Sequence, residues 1–183
     1  MEIILASKSP RRQELMGLIG LPFQVRVAPV DETMGNGSPE EEVALLSRKK
    51  AEAARETLDE IVIGADTIVV LDGKILGKPA DATDAFRMLR YLSGRRHQVM
   101  TGVTVLLGGH CVSFTEVTEV CFRQLTDGEI LSYIASGDPM DKAGSYGIQS
   151  GGALFVEEIH GDYYNVMGLP VCRLNQTLKE FIV

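Results

Sequence analysis

Apolar and polar positions alternate in short, well-punctuated blocks along the chain. Glu2 to Ala6 is an apolar run that predicts a buried strand. Ser9-Pro10 then predicts a helix start, with proline in the first turn and Gly20 as the stop. Phe23, Val25 and Val27 alternate with Gln24 and Arg26, the pattern of a half-buried strand, and Met34 to Gly37 reads as a loop. Ser38-Pro39-Glu40-Glu41 is an N-cap with a capping-box glutamate, predicting a helix to about Leu58. Ile61 to Ala65 is an apolar strand that ends at Asp66.

Farther on, Ile68 to Leu71 and Lys74 to Leu76 flank Asp72-Gly73, the signature of a type I′ hairpin. Asp81 caps a helix that Gly94 closes, and Val99 to Leu107 pairs with Val112 to Phe122 across Gly108-Gly109. Thr126-Asp127-Gly128-Glu129 is a second capping box, for a helix to about Ala135. The stretch 137–152 is rich in glycine and polar residues; Ala153 to Ile159 reads as a strand, Gly161 to Gly168 as a loop and Pro170 to Phe181 as the closing helix. Helices intermixed with long hairpins predict a mixed α/β (α+β) sheet protein rather than a regular Rossmann alternation.

Length adds that 183 residues suffice for one domain, or two closely joined lobes, with a core that needs no staples. With 18 Lys+Arg against 25 Asp+Glu the net charge is 18 − 25 = −7, which argues against a nucleic-acid partner yet allows a local cationic pocket for a small anion. No apolar run approaches the ~20 residues of a membrane span, and the acidic opening Met1-Glu2 argues against a signal peptide. Cys111, Cys121 and Cys172 are scattered, as expected of buried thiols in a reducing cytoplasm, and the three histidines are too dispersed for a zinc cluster.

Candidate chemistry gathers at four places. Ser7-Lys8-Ser9-Pro10-Arg11-Arg12 lies between a predicted strand and helix, where free N–H groups attract anions; two arginines at the positive end of a helix call for an anionic ligand such as a polyphosphate. Asp66-Thr67 closes an apolar strand, where a carboxylate can hold Mg²⁺ or accept a proton from water, and Gly64-Ala65 leave room for a ligand. Lys50, Lys78 and Lys142 are point charges suited to phosphate, and Glu32 could join Asp66 around a hard cation. In the loop 144–152, the Gln149 amide offers a donor and an acceptor to the edge of a base. The P-loop, dinucleotide and hydrolase-elbow motifs are absent from the sequence.

Six segments, in order over nearly the whole chain, resemble the Maf family of nucleoside triphosphate pyrophosphatases, relatives of the inosine triphosphatases. They are Ala6-Ser7-x-Ser9-Pro10-Arg11-Arg12, Gly64-Ala65-Asp66-Thr67, Gly77-Lys78-Pro79, Ser93-Gly94-x-x-His97-Gln98-Val99-x-Thr101-Gly102, Asp141-Lys142-Ala143-Gly144-x-Tyr146-Gly147-Ile148-Gln149 and Val166-x-Gly168-Leu169-Pro170. The resemblance implies a single Maf-like domain over 1–183, with an elongated, inosine-triphosphatase-like mixed sheet flanked by helices, two lobes with a cleft, and a homodimer. It implies hydrolysis between the α and β phosphates with Mg²⁺ or Mn²⁺. Ser7, Arg11, Arg12, Lys50, Lys78 and Lys142 would grip phosphates, Glu32 and Asp66 would handle metal, and Asp66 would accept the proton from water.

Within the resemblance, Arg12, Thr67 and Gln149 match the set of the branch that prefers dTTP and UTP. The branch acting on 7-methyl-GTP carries a tryptophan in the Ser-Pro segment, glutamine after the aspartate and glutamate near the position of Gln149. A neutral amide at Gln149 suits the O4 and N3–H edge of uracil or thymine, and a chain without tryptophan lacks the best stacking partner for a cationic purine. The same chemistry would extend to modified pyrimidine triphosphates; the alternatives are a nucleotide sensor that controls septum formation without turnover, and a 7-methyl-GTP pyrophosphatase.

Overall fold

The computed structural model describes residues 1–182; Val183, the last residue of the domain expected from sequence, lies outside the described residues. Seven strands form one mixed sheet: β1 (Ile3–Leu5), β2 (Gln24–Val25), β3 (Ile61–Leu71), β4 (Lys74–Leu76), β5 (Arg96–Leu107), β6 (His110–Phe122) and β7 (Val156–His160). Their order is β2-β1-β3-β5-β6-β7, with β4 hydrogen-bonded to β3. β1 runs parallel to β2 and β3; β3 and β4, and β6 and β7, are antiparallel. The helices are α1 (Pro10–Gly17), α2 (Pro39–Ala54), α3 (Ala82–Leu92), α4 (Asp127–Ala135), α5 (Tyr163–Met167) and α6 (Val171–Leu178). The mixed α/β class expected from the sequence is the one found.

The chain divides into two compact units. The first comprises Met1–Thr67, Thr101–Glu116 and the C-terminal segment from Tyr164. Strand alternation decides its layers. Odd-numbered Ile3, Leu5, Ile61, Ile63, Ala65, Val103 and Val105 pack with Leu15 and Met16 of α1 and Leu174 and Leu178 of α6. Even-numbered Ile4, Ala6, Val62 and Leu106 pack with Ala51 and Ala54 of α2. Both faces of these strands are covered, so they read as continuous apolar runs.

The α2 backbone sits directly on the sheet. A Cβ at Gly64 would lie 2.1 Å from the Ser47 carbonyl oxygen, and one at Gly102 would lie 2.3 Å from that of Val43. The absence of a side chain at Gly64, expected from sequence to admit a ligand, instead admits the helix that carries Lys50.

Three elements differ from expectation in this unit. The strand predicted around Phe23 to Val27 is only Gln24–Val25, and both residues are exposed; it pairs with β1 alone, at the sheet edge. α2 stops at Ala54 rather than near Leu58. There the Glu60 carboxylate accepts the N–H groups of Glu56 and Thr57 at 3.1 and 3.2 Å, while Arg26 donates to the Ala54 carbonyl at 3.2 Å. These partners satisfy the backbone outside a helix. The span Gly161 to Gly168, expected as loop, contains α5, too short at five residues to show a period.

The second unit comprises Ile68–Met100 and Val117–Tyr163. Its β3–β4 hairpin turns at Asp72 and Gly73 with φ of 51° and 72°, the type I′ geometry anticipated. Both capping boxes form as read, Ser38 with Glu41 on α2 and Thr126 with Glu129 on α4. The predicted strand from Ala153 begins only at Val156, after a 3₁₀ turn over Gly151–Phe155.

The buried centre of this unit is aromatic: Phe122 meets His97, Tyr146 and Phe155 edge-on, and Tyr133 meets Phe155. His97 shares a 2.7 Å hydrogen bond with the Tyr146 hydroxyl, and its Nδ1 has no partner among the described residues. Burial pushes the His97 ring down to about 4. The unfolded chain therefore takes up a proton near pH 6.5 that the folded ring refuses until about pH 4, so stability falls as pH drops through that window. The loss reaches roughly 3 kcal/mol at 1.36 kcal/mol per pKa unit. Urea unfolding at pH 7 and pH 4 should show His97→Gln losing about 2–3 kcal/mol less than the wild type between the two; equal losses would remove His97 from the acid response.

Among the described residues no helix is long and apolar enough to cross a membrane. The cysteines are free, and Cys111 and Cys172 are exposed rather than buried as expected, because the end of β6 and the outer face of α6 carry them.

Candidate functional site

The site is built around two polar residues in the middle of β3. The strand does not end at Asp66, as expected from the sequence; it runs on to Leu71, and Asp66 and Thr67 are the two residues in its length that are not buried. The carboxylate reads as a strand end because it interrupts an apolar run. The ladder nevertheless continues, since both side chains have polar partners in the first unit. Alternation turns them to opposite faces. Even-numbered Asp66 shares the α2 face with Gly64, and odd-numbered Thr67 shares the α1 face with Ala65.

On the α1 face the guanidinium of Arg12 joins three segments. Its Nε donates to the Gly168 carbonyl at 2.8 Å, Nη2 to Thr67 Oγ1 at 3.0 Å and Nη1 to Ser7 Oγ at 3.3 Å. Gly168 can aim its carbonyl this way because its φ is 118°, where a side chain would be strained. Thr101 Oγ1 donates to the Asn165 carbonyl at 3.1 Å, so across the 2.9 Å Thr67–Thr101 contact the Thr67 hydroxyl is the donor. A directed chain thus runs from Arg12 through Thr67 and Thr101 to the backbone. Burial lowers the Arg12 pKa; Asp66 and Glu32 oppose that shift, and Arg11 adds to it. A cation held among protein atoms beside a second arginine is a strong receptor for an anion.

On the α2 face, Lys50 lies between two carboxylates. Its ammonium is 2.5 Å from Asp66 Oδ1 and 2.8 Å from Glu32 Oε1. The Lys50 and Asp66 side chains are 15% and 16% exposed, whereas Glu32 is 61% exposed. Glu32 comes from the Asp31–Thr33 turn, where the Asp31 carboxylate accepts the Thr33 N–H at 2.9 Å.

Two carboxylate oxygens converging on one cationic point form a donor set suited to a hard divalent ion completed by phosphate oxygens and water. Among the described residues no group of three or more His, Cys, Asp or Glu offers a metal site. Glu32 and Asp66 would therefore hold a divalent ion only with a ligand's oxygens completing the set, not as an all-protein cage. Ser9 caps α1 by accepting the Arg12 N–H, and the Ser7 hydroxyl accepts the Ser9 N–H at 3.3 Å.

The remaining candidates belong to the second unit. Lys78 is exposed. The Lys142 ammonium is held by the Asp138 carbonyl at 2.6 Å, Asp138 Oδ1 at 3.0 Å and Asp141 Oδ1 at 2.8 Å. Gln149 is exposed in a turn closed by Ser150 N–H donating to the Gly147 carbonyl at 3.2 Å.

The Gly168 carbonyl, Thr101 and Asp138 are site groups that the sequence alone does not mark. Thr101 and Gly168 stand inside the quoted segments but show no chemistry of their own, since a backbone oxygen and a relay hydroxyl acquire roles only through tertiary contact. Asp138 is one more polar residue in a glycine-rich stretch until Tyr133 and Lys142 are brought to it.

A sequence model of the family described as Maf-like protein matches residues 2–181. A dTTP/UTP pyrophosphatase of Bacillus cytotoxicus is 54% identical over 182 residues, covering 98% of this chain and 95% of its own. One of Bacillus cereus is 52% identical with the same coverage. Among solved structures, the Ham1 protein of Staphylococcus aureus has the same fold, with a TM-score of 0.57 at 16% identity over 98% of this chain and 99% of that one.

Proposed function

The chain belongs to the Maf family, and from that membership and the site geometry we propose that it hydrolyses dTTP and UTP to the nucleoside monophosphate and pyrophosphate. One observation carries the reading: adjacent residues of one strand, Asp66 and Thr67, meet a carboxylate–ammonium cluster on one face and a half-buried guanidinium on the other. In this reading the carboxylate activates water and the guanidinium receives phosphate, and although the two stand on different faces of the strand the Asp66 charge acts on Arg12.

In this reading Ser7, Arg11, Arg12, Lys50, Lys78 and Lys142 bind the triphosphate. Lys50 turns from Glu32 and Asp66 to a phosphate oxygen. Lys142 exchanges Asp141, whose carboxylate is 68% exposed, for another. Asp66 orients a water and takes its proton as the oxygen attacks the α-phosphorus. The bond from that phosphorus to the bridging oxygen breaks, and pyrophosphate leaves with its charge met by the arginines and lysines. Glu32 and Asp66 would hold Mg²⁺ or Mn²⁺, which supplies neutralisation of the phosphate oxygens. Arg12, Thr67 and Gln149 set the base preference, Gln149 by pairing its amide with the O4 and N3–H edge of the pyrimidine.

The reading treats the chain as one functional domain, consistent with a family match over residues 2–181, in a cytoplasmic homodimer. Light scattering would report twice the 19.9 kDa chain mass for the dimer and the single mass against it.

The test of the activity is a panel of nucleoside triphosphates with Mg²⁺ or Mn²⁺, following pyrophosphate against orthophosphate. Pyrophosphate from dTTP and UTP, with little from purines, is the expected result. Tight binding without turnover would replace the enzyme with a nucleotide sensor. Turnover of 7-methyl-GTP alone would overturn the pyrimidine preference.

A further inference from the structure

The turn that carries Gln149 is fastened at both ends to one side chain of α4 and one carboxylate. Tyr133 is 7% exposed, and its ring meets Phe155 edge-on at 5.1 Å. Its hydroxyl donates to Asp138 Oδ2 at 2.5 Å and accepts the Gly147 N–H at 3.0 Å. On the far side of Gln149, Ser150 Oγ donates to the same Asp138 oxygen at 2.6 Å. The other Asp138 oxygen takes the Lys142 ammonium at 3.0 Å. Glycines close the packing: a Cβ at Gly151 would lie 2.8 Å from the Tyr133 ring, and one at Gly147 would lie 2.7 Å from the Lys142 stem. Burial alone would raise the Asp138 carboxyl, but the bonds from Ser150, Tyr133 and Lys142 outweigh it and hold the group ionised below its ordinary range.

An exposed glutamine at the tip of a glycine-flanked turn has little intrinsic reason to point one way. Its amide discriminates bases only if the backbone beneath it stays still, because reading a donor beside an acceptor requires fixed geometry. We propose that Tyr133 and Asp138 are positioning residues for base specificity, clamping the Gly147–Ser150 turn so that the Gln149 amide meets the pyrimidine edge. The inference rests on the reading of Gln149 as the base-reading residue. It adds that the selectivity of that residue is set from beneath it by a tyrosine and a carboxylate that touch no substrate. Loosening the clamp leaves the chemistry at Asp66 intact and blunts discrimination.

Tyr133→Phe keeps the ring and deletes the hydroxyl, and Asp138→Asn keeps the shape and deletes the charge. With Gln149→Glu alongside, kinetics on dTTP and dGTP and hydrogen exchange at the Gly147 amide test the clamp. In Tyr133→Phe the KM for dTTP should rise about tenfold with kcat within about threefold, the dGTP KM should hold, and Gly147 exchange should accelerate about tenfold, the scale of one hydrogen bond to a charged group. Asp138→Asn should shift the dTTP-to-dGTP ratio in the same direction, on top of a rise in KM for both nucleotides because Asp138 Oδ1 also holds Lys142.

If Gln149→Glu alters the dTTP-to-dGTP ratio while both clamp variants keep the wild-type ratio, the clamp is overturned and the base-reading role stands. A uniform drop in kcat for both nucleotides, with a lowered melting temperature and an unchanged ratio, would make the network merely structural and also overturns it. If Gln149→Glu leaves the ratio unchanged, the base-reading assignment fails and takes the clamp with it.

Discussion

Asp66→Asn should lower kcat on dTTP by about 10³-fold, the range lost with a positioned general base, and leave the fold in place. Asparagine matches the shape of aspartate but neither accepts a proton from water nor offers charge to a divalent ion. The structural cost is small for a specific reason. The Lys50 ammonium, 2.5 Å from Asp66, also lies 2.8 Å from Glu32, so removing one carboxylate does not strand the cation. Partial exposure on both sides of the pair weakens the penalty further. Pyrophosphate release gives the rate and a urea transition gives the stability. A variant that turns over at near wild-type rate removes Asp66 from the mechanism. One that unfolds makes Asp66 a structural residue.

The second large effect belongs to Arg12. Lysine retains the charge but cannot reproduce a planar fork that reaches the Gly168 carbonyl, Thr67 and Ser7 at once. Arg12→Lys should therefore lower kcat/KM for dTTP by about 10²–10⁴-fold, the scale of losing two charge-assisted hydrogen bonds at roughly 1.5–3 kcal/mol each. The same change unties α1 from β3 and from the Gly168 segment. Because the Arg11 charge acts on a half-buried Arg12, bound nucleotide should raise the melting temperature of the wild type more than that of the variant. Thermal shifts with and without dTTP check this. Equal shifts in both proteins, with unchanged kcat/KM, would place the phosphate receptor elsewhere.

Local chemistry was the most legible part of the sequence. Both capping boxes, the Asp72-Gly73 turn and the proline-initiated α1 depend on residues within four positions of one another, and each forms as read. Features that depend on distant partners were legible only in part. Asp66 looks like the end of a strand, yet the ladder carries it, because Lys50 from sixteen residues earlier supplies its partner. Gly64 looks like space for a ligand, and the α2 backbone fills that space.

The site was legible as residue types and illegible as geometry. Arg12 and Thr67 stand 55 positions apart, and nothing local says that one donates to the other. Strand parity, once the register is known, accounts for the division of Asp66 and Thr67 between two helices. The Tyr133–Asp138 clamp was invisible for the same reason, since its members become a network only when the glycine-rich stretch folds back on α4.

Cleavage between the α and β phosphates by water attacking the α-phosphorus is the central claim, and isotope placement tests it most directly. dTTP hydrolysed by the protein in ¹⁸O-labelled water, with products resolved by mass, should yield labelled dTMP and unlabelled pyrophosphate. Label in the pyrophosphate, or release of dTDP and orthophosphate, would contradict the account.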